Sequence, residues 1–153
     1  MSRAFTKEID DRPEEIPARP VSTHPNFVTA AGLQQIELAL ARFDAAHTAA
    51  ILKEDKTAIE LTFRELRYWS RRKNSAILVG EVANTNQVQF GSNVTVRRHD
   101  GRVQSFRIVG MDEAEPSTGA VSYISPFAQS VIGKSVGDRV EISGEDSKIP
   151  AVG

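Results

Sequence analysis

The chain has 153 residues, with 19 lysines and arginines against 20 aspartates and glutamates, and it contains no cysteine. This length allows one ordinary domain or two small ones and excludes a large multi-domain catalytic machine. The near-zero net charge argues against a protein that coats nucleic acid through bulk positive charge. Without cysteine, disulfides, thiolate zinc sites and cysteine nucleophiles are excluded.

The N-terminal segment is rich in proline and mixed charge. Residues 1–26 contain Pro13, Pro17, Pro20 and Pro25 and few large apolar side chains. Such a segment cannot bury enough surface to offset the entropy of ordering, so we predict a flexible tail. No apolar run has the length of a signal peptide or of a membrane helix, which needs about 20 residues. We therefore expect a soluble, cytoplasmic protein without membrane contact.

Two amphipathic helices are predicted over residues 27–76. Thr29 is a candidate N-cap, and an apolar seam at 3-4-3 spacing follows it. A polar turn at residues 53–56 separates this seam from a second one. Two seams joined by a short polar turn predict an antiparallel helical hairpin, a coiled coil with a tip and a base. The seam residues are Leu33, Ile36, Leu40 and Phe43 in the first helix, and Ile59, Phe63, Leu66 and Trp69 in the second.

From residue 77 to residue 153 the pattern changes to short strand-like runs separated by glycines. Asp100-Gly101 is a hairpin-turn signal, and Ser125 is a candidate cap for a short helix at residues 126–132. The fold class is therefore α+β, a helical hairpin followed by a small antiparallel sheet with a short helix. The predicted strands cover residues 77–79, 94–98, 103–109, 121–124 and 140–142.

Residues 77–143 resemble the C-terminal domain of the Gre family of bacterial transcript cleavage factors. The resemblance is carried, in the family's order and spacing, by Phe90-Gly91-Ser92, Arg107 to Gly110, Asp112 to Pro116, Ser125-Pro126, Ile132 to Lys134 and Val136 to Asp138. It implies an FKBP-like domain that docks on the rim of the RNA polymerase secondary channel, and a coiled coil that reaches down the channel. RNA and DNA would be met only through the elongation complex.

The family's acidic tip motif, G-D-[LF]-S-E-N-[AS]-E-Y, is absent. Glu54 and Asp55 are the carboxylates placed to substitute for it. The resemblance implies that such carboxylates help hold a Mg²⁺ shared with the polymerase active site, where the polymerase cleaves its own RNA. The factor itself would then not be an enzyme, and it would have no cofactor of its own. In the alternative interpretation, Asp55 is a helix N-cap and Glu54 a solvated charge.

With that alternative, the chain would be a Gre-like antagonist or a protein like the regulators of nucleoside diphosphate kinase, which binds polymerase without cleavage activity. A dimerising coiled-coil protein is a further alternative, although we expect a monomer. Prolyl isomerase activity, suggested by the FKBP-like shape, needs an aromatic-lined pocket, and we expect it to be absent. The aromatic residues after position 76 are limited to Phe90, Phe106, Tyr123 and Phe127.

The second helix is basic towards its base. Contact with an acidic channel rim or with RNA is one interpretation of this charge, and a solvated helix face is the other. Tyr68 and Trp69 beside it are predicted to pack at the junction between hairpin and sheet rather than to stack on bases. The basic residues are Arg64, Arg67, Arg71 and Arg72.

The acidic run after the second long strand is predicted to have polymerase-docking or structural roles. The three histidines, at positions 24, 47 and 99, have no recognised metal-site spacing, and His47 falls on the hairpin seam. The docking candidates in the C-terminal half are Asp112, Glu113, Glu115, Ser125, Pro126 and Lys134.

Overall fold

A computed structural model describes residues 16–83 and 85–153. Within these residues the chain forms a helical hairpin, a two-stranded parallel sheet and a five-stranded mixed sheet, which confirms the α+β class. No helix in this part of the chain is long and apolar enough to cross a membrane. The elements are β1 Asn26–Val28, α1 Ala30–Leu52, α2 Lys56–Ser75, β2 Ala76–Leu78, β3 Asn93–Arg97, β4 Val103–Val109, β5 Ala120–Ser122, α3 Pro126–Val131, β6 Arg139–Ile142 and β7 Glu145–Val152.

The two long helices pack against each other. Ile36 of α1 is only 1% exposed, and His47 Nδ1 lies 2.8 Å from Thr62 Oγ1 across the helix pair. Phe63 departs from the prediction because its side chain is half exposed. With 23 and 20 residues, the helices are about 34 and 30 Å long at about 1.5 Å per residue.

Strand β1 was not predicted, and it joins the two ends of the hairpin. It pairs in parallel with β2, with Asn26 opposite Ala76 and Val28 opposite Leu78. Because β1 directly precedes α1 and β2 directly follows α2, their pairing closes the base of the hairpin.

Part of the predicted flexible tail is packed against the hairpin. Arg19 forms a 2.8 Å ion pair with Glu65 of α2, and its guanidinium lies 3.7 Å from the ring centroid of Tyr68. The carbonyl of Pro25 accepts a hydrogen bond from the Tyr123 hydroxyl. The tail prediction is therefore wrong for the segment that carries these contacts, while residues 1–15 lie outside the described residues.

The larger sheet has the strand order β5-β4-β3-β7-β6. The predicted antiparallel arrangement is wrong for one pair, since β5 runs parallel to β4. The reason lies in residues 110–119, which form a connection with a short 3-10 helix, Pro116–Thr118, instead of a tight turn. Such a connection returns the chain to the starting end of the neighbouring strand. The predicted Asp100-Gly101 turn does join β3 and β4, and Gly101 has a positive φ of 87°.

Strand β7 was missed by the sequence analysis. It contains Pro150, and a proline argues against a strand inside a sheet because it lacks an amide donor. In the structure β7 lies between β3 and β6, and its pairing with β3 shifts register between Thr95 and Arg97. Pro150 falls at this irregularity, where one ladder hydrogen bond is already lost.

The core lies between the larger sheet and α3. Ser125 caps α3 as predicted, accepting a hydrogen bond from the Ala128 amide at 3.2 Å. Buried valines and isoleucines of four strands meet Ala128 and Val131 of this helix. The core cluster is Val88, Val94, Val96, Ile108, Tyr123, Ala128, Val131, Val140, Ile142 and Ile149.

A buried polar network joins the base of the hairpin to the larger sheet. Arg72, 1% exposed, donates from Nε to Asp112 Oδ2 at 2.6 Å and from Nη2 to Asn26 Oδ1 at 2.7 Å. Asn26 in turn donates to the Arg72 carbonyl at 2.8 Å. The Tyr68 hydroxyl donates to the other carboxylate oxygen of Asp112. Burial, together with this hydrogen bond to Asp112, raises the pKa of Tyr68 to about 12.

A second connection lies beside this network. The Thr29 hydroxyl, which accepts from the Gly32 amide at 2.9 Å, itself donates to Glu113 Oε1. The other oxygen of Glu113 is 3.8 Å from Arg107 Nη1. The N-cap of α1 is thus tied to the loop after β4, next to Asp112.

Replacing Arg72 with methionine is expected to lower the free energy of unfolding by about 3–5 kcal/mol, because Asp112 and Asn26 remain buried without their partner. Arg102→Met is the matched control, since its pair with Asp100 is more than half exposed on both sides and such pairs contribute below about 1 kcal/mol. Urea unfolding of both variants measures the difference. Equal losses would contradict a structural role for the buried pair.

Replacing Tyr68 with phenylalanine is expected to change how stability depends on alkaline pH. The folded-state pKa of about 12 lies above the ordinary tyrosine pKa of 10.0, so the stabilising contribution of protonated Tyr68 is complete below about pH 10 and is lost towards pH 12. Wild-type protein should therefore lose more unfolding free energy than Tyr68→Phe as the pH rises from about 9 to about 11.5. This range covers most of the interval between the two pKa values. Parallel pH profiles for the two proteins would contradict this assignment.

Candidate functional site

The free end of the hairpin is a tight turn that presents two carboxylates. Lys53 closes α1 by donating its amide to the Ala49 carbonyl at 3.1 Å. Glu54 follows in the left-handed region with φ 54°, and the Asp55 amide donates to the Ala50 carbonyl at 3.1 Å. The two side chains are exposed and adjacent at the point of the molecule farthest from the base along the hairpin.

Asp55 has a structural function in this turn. Its Oδ1 accepts a hydrogen bond from the Ala58 amide at 3.2 Å, which makes it the N-cap of α2. One carboxylate oxygen is therefore engaged, while Glu54 makes no such contact among the described residues. The capping interpretation of Asp55 is confirmed.

The tip also carries exposed apolar side chains that the sequence analysis left without a role. Leu52 is 81% exposed and Ile51 is 52% exposed. Leu52 and Ile51 thus form a small exposed apolar area beside the turn. A sequence signal existed, because both residues fall after the last position of the 3-4-3 seam.

The basic side chains of α2 divide into two groups. Arg64, Arg67 and Arg71 are spaced three and four residues apart, which places them on one face of the helix. None of them has an ion-pair partner within 4.0 Å among the described residues. Arg72 points the other way and is buried in the junction, so its predicted place on the basic surface is wrong.

The predicted docking residues have different positions in the structure. The carboxylates of Asp112 and Glu113 are each only 8% exposed and face the hairpin. Of the two roles predicted for them, polymerase docking and a structural role, this position favours the structural role. Ser125 caps α3. Glu115, Pro126 and Lys134 are exposed.

Tyr68 and Trp69 lie at the junction, in agreement with the packing interpretation. Their rings meet edge to face at a centroid distance of 5.0 Å. One face of Tyr68 is covered by Arg19, so that face does not offer a stacking platform.

A groove beside the junction was not predicted. It has a volume of about 450 Å³ and runs between the start of α1 and the segment after β2. Leu78, which lines the groove, is about half exposed, as is its neighbour Ile77. No pattern in the sequence indicated this surface, because apolar residues in a short strand usually face a core.

Within the described residues, no group of three or more histidine, cysteine, aspartate or glutamate side chains is assembled to hold a metal ion. Glu54 and Asp55 are two neighbouring carboxylates, and Mg²⁺ prefers oxygen ligands in near-octahedral geometry. Alone they can supply only part of such a coordination shell, so further ligands would have to come from a partner.

Comparison with known proteins identifies the C-terminal half. Residues 83–151 match the family model described as transcription elongation factor GreA/GreB, C-terminal. Transcription elongation factor GreB of Neisseria meningitidis is 34% identical over 87 residues, 56% of this chain and 53% of the relative. GreA of Bacillus licheniformis is 41% identical over 71 residues, 46% of this chain and 45% of the relative. The chain thus spans about half the length of these relatives.

Among solved structures, GreA factor homolog 1 (Gfh1) of Thermus thermophilus is similar to 85% of this chain and 99% of its own, at 17% identity and a TM-score of 0.40. A score at this level has no weight in assigning the fold. Residues 83–151 are similar to the C-terminal domain of the GreA/GreB transcription elongation factors, and both sequence relatives carry those names.

Proposed function

We propose that this protein is a transcription elongation factor that binds RNA polymerase at the secondary channel and modulates elongation. One observation carries the proposal: a Gre C-terminal domain at residues 83–151 is joined through the buried Arg72–Asp112 pair to a narrow hairpin about 30 Å long. The sheet would dock on the channel rim as an FKBP-like domain. The hairpin would enter the channel as a coiled coil.

The tip surface fits this use. Leu52 and Ile51 expose apolar area that insertion into a protein channel would remove from water. Complete burial of a leucine side chain is worth about 1.5–3 kcal/mol. Glu54 and Asp55 would then reach the neighbourhood of the polymerase active site together with these residues.

If the tip assists RNA cleavage, the carboxylates would supply oxygen ligands to a Mg²⁺ that the polymerase also holds. The protein would then have neither a cofactor nor a catalytic centre of its own. It would act in the cytoplasm as a monomer and meet RNA and DNA only through the elongation complex.

A second candidate function is favoured by the hydrogen bond from Ala58 to Asp55. Because one tip carboxylate is engaged as a helix cap, the hairpin would occupy the channel without completing a metal site. The protein would then act as a Gre-like antagonist without cleavage activity.

Replacing Leu52 with aspartate is expected to weaken binding to core RNA polymerase by roughly tenfold, the equivalent of about 1.4 kcal/mol. Binding is measured by retention of the full chain on immobilised polymerase over a concentration series. Val103→Asp is the control, since Val103 is also a largely exposed apolar residue, 57%, but lies on the sheet. No retention of wild-type protein would overturn the proposed function, and equal weakening by both variants would overturn insertion of the tip.

Replacing Asp55 with asparagine separates capping from metal binding, because asparagine caps helices about as well as aspartate but has no charge. If the tip holds Mg²⁺, Asp55→Asn and Glu54→Gln each lower RNA cleavage in backtracked polymerase complexes by tenfold or more, a loss of roughly 1.4 kcal/mol in transition-state stabilisation. Wild-type protein that binds polymerase but leaves the RNA uncut would support the antagonist. Cleavage that persists in both variants would exclude a metal role for the tip.

A further inference from the structure

A cavity lies beside α2, next to the junction residue Tyr68. It has a volume of about 300 Å³, with residues 16–21 forming one wall and the exposed face of α2 the other. The sequence analysis considered Arg64, Arg67 and Arg71 either as a solvated helix face or as a contact for an acidic channel rim or RNA. The lining residues include Ile16, Arg19, Glu60, Phe63, Arg64, Arg67, Tyr68 and Arg71.

The lining of this cavity is strongly basic. Four arginines face a single carboxylate, that of Glu60. Arg19 is paired with Glu65 at 2.8 Å, whereas Arg64, Arg67 and Arg71 have no carboxylate within ion-pairing distance in the described part of the chain. Among the described residues, three guanidinium groups on one wall therefore have no carboxylate partner.

Arg64 adds an independent observation. Its Nε atom is buried and has no hydrogen-bond partner among the described residues. A buried donor without an acceptor costs free energy comparable to a lost hydrogen bond. An anion in the cavity would satisfy it, and guanidinium groups bind phosphate oxygens with favourable geometry.

The cavity also offers one exposed aromatic ring. Phe63 is half exposed, and the Arg67 guanidinium lies 5.8 Å from its ring centroid. Stacking of a base on an aromatic ring contributes about 1–3 kcal/mol. The volume of about 300 Å³ is at the lower end of the range for small-molecule sites. Because the cavity has a wall on each side, it suits a single nucleotide better than a continuous nucleic-acid strand.

We propose that this cavity binds a free nucleoside triphosphate, with Arg64, Arg67 and Arg71 on the phosphates and Phe63 against the base. The binding requires no polymerase, so it stands independently of the proposed function. A nucleotide bound in the cavity would lie on the surface of α2. There it would change how the hairpin fits into a partner protein.

ATP binding to the whole 153-residue chain tests the proposal. Trp69 is the single tryptophan of the chain and touches Tyr68, which lines the cavity, so its fluorescence and titration calorimetry both report occupation. At low salt we expect saturable binding of ATP, weaker binding of inorganic triphosphate, and no binding of adenosine. Arg67→Ala is expected to weaken ATP binding at least tenfold, because a charge-assisted bidentate contact is lost.

Arg97→Ala is the control, since Arg97 is an exposed arginine on β3 outside the cavity. Equal weakening by both variants would overturn the site in favour of general charge attraction. Absence of ATP binding at millimolar concentration would also overturn the proposal. A short oligoribonucleotide that binds more tightly than ATP and displaces it would overturn the choice of a free nucleotide and assign the cavity to an RNA backbone.

Discussion

The buried ion pair between Arg72 and Asp112 determines how the hairpin stands on the sheet. Both side chains are almost fully buried, 2% and 8% exposed, so water cannot solvate either charge while the hairpin is packed on the sheet. Taking two charges out of water is costly, and their attraction offsets that cost only when the geometry and the remaining hydrogen bonds are good. Here Asn26 and Tyr68 supply those hydrogen bonds. Removing one partner would leave the other charge buried and unpaired, so the network holds α2 against the loop after β4.

The loop after β4 is shaped to receive the hairpin. At Gly110 a Cβ atom would lie 2.6 Å from the Phe27 carbonyl oxygen, so β1 can approach this closely only against a glycine. Asp112 and Glu113 follow at once and contact α2 and the cap of α1. Residues 110–113, which belong to a stretch that resembles the family motif, thus form the surface that the base of the hairpin packs against.

The sequence was sufficient where local chemistry decides the structure. The caps at Thr29, Asp55 and Ser125 are hydroxyl or carboxyl groups at the start of a periodic pattern, and each was predicted. The parallel β1–β2 pair could not be foreseen, because three-residue strands have no periodicity and their pairing depends on the hairpin between them. Arg72 was assigned to the surface because its neighbours are basic. Its burial depends on Asp112, 40 residues away, and composition cannot indicate such a contact.

The two tip carboxylates differ in what the structure explains. Asp55 is accounted for by capping, which is worth roughly 1 kcal/mol. Glu54 is not, since its left-handed backbone, φ 54°, costs a residue with a Cβ about 1–2 kcal/mol that glycine would avoid. The turn would form more readily without this side chain, so its presence is unfavourable for the fold itself. If either carboxylate has a function beyond the hairpin, Glu54 is therefore the better candidate, because nothing in the local structure requires it.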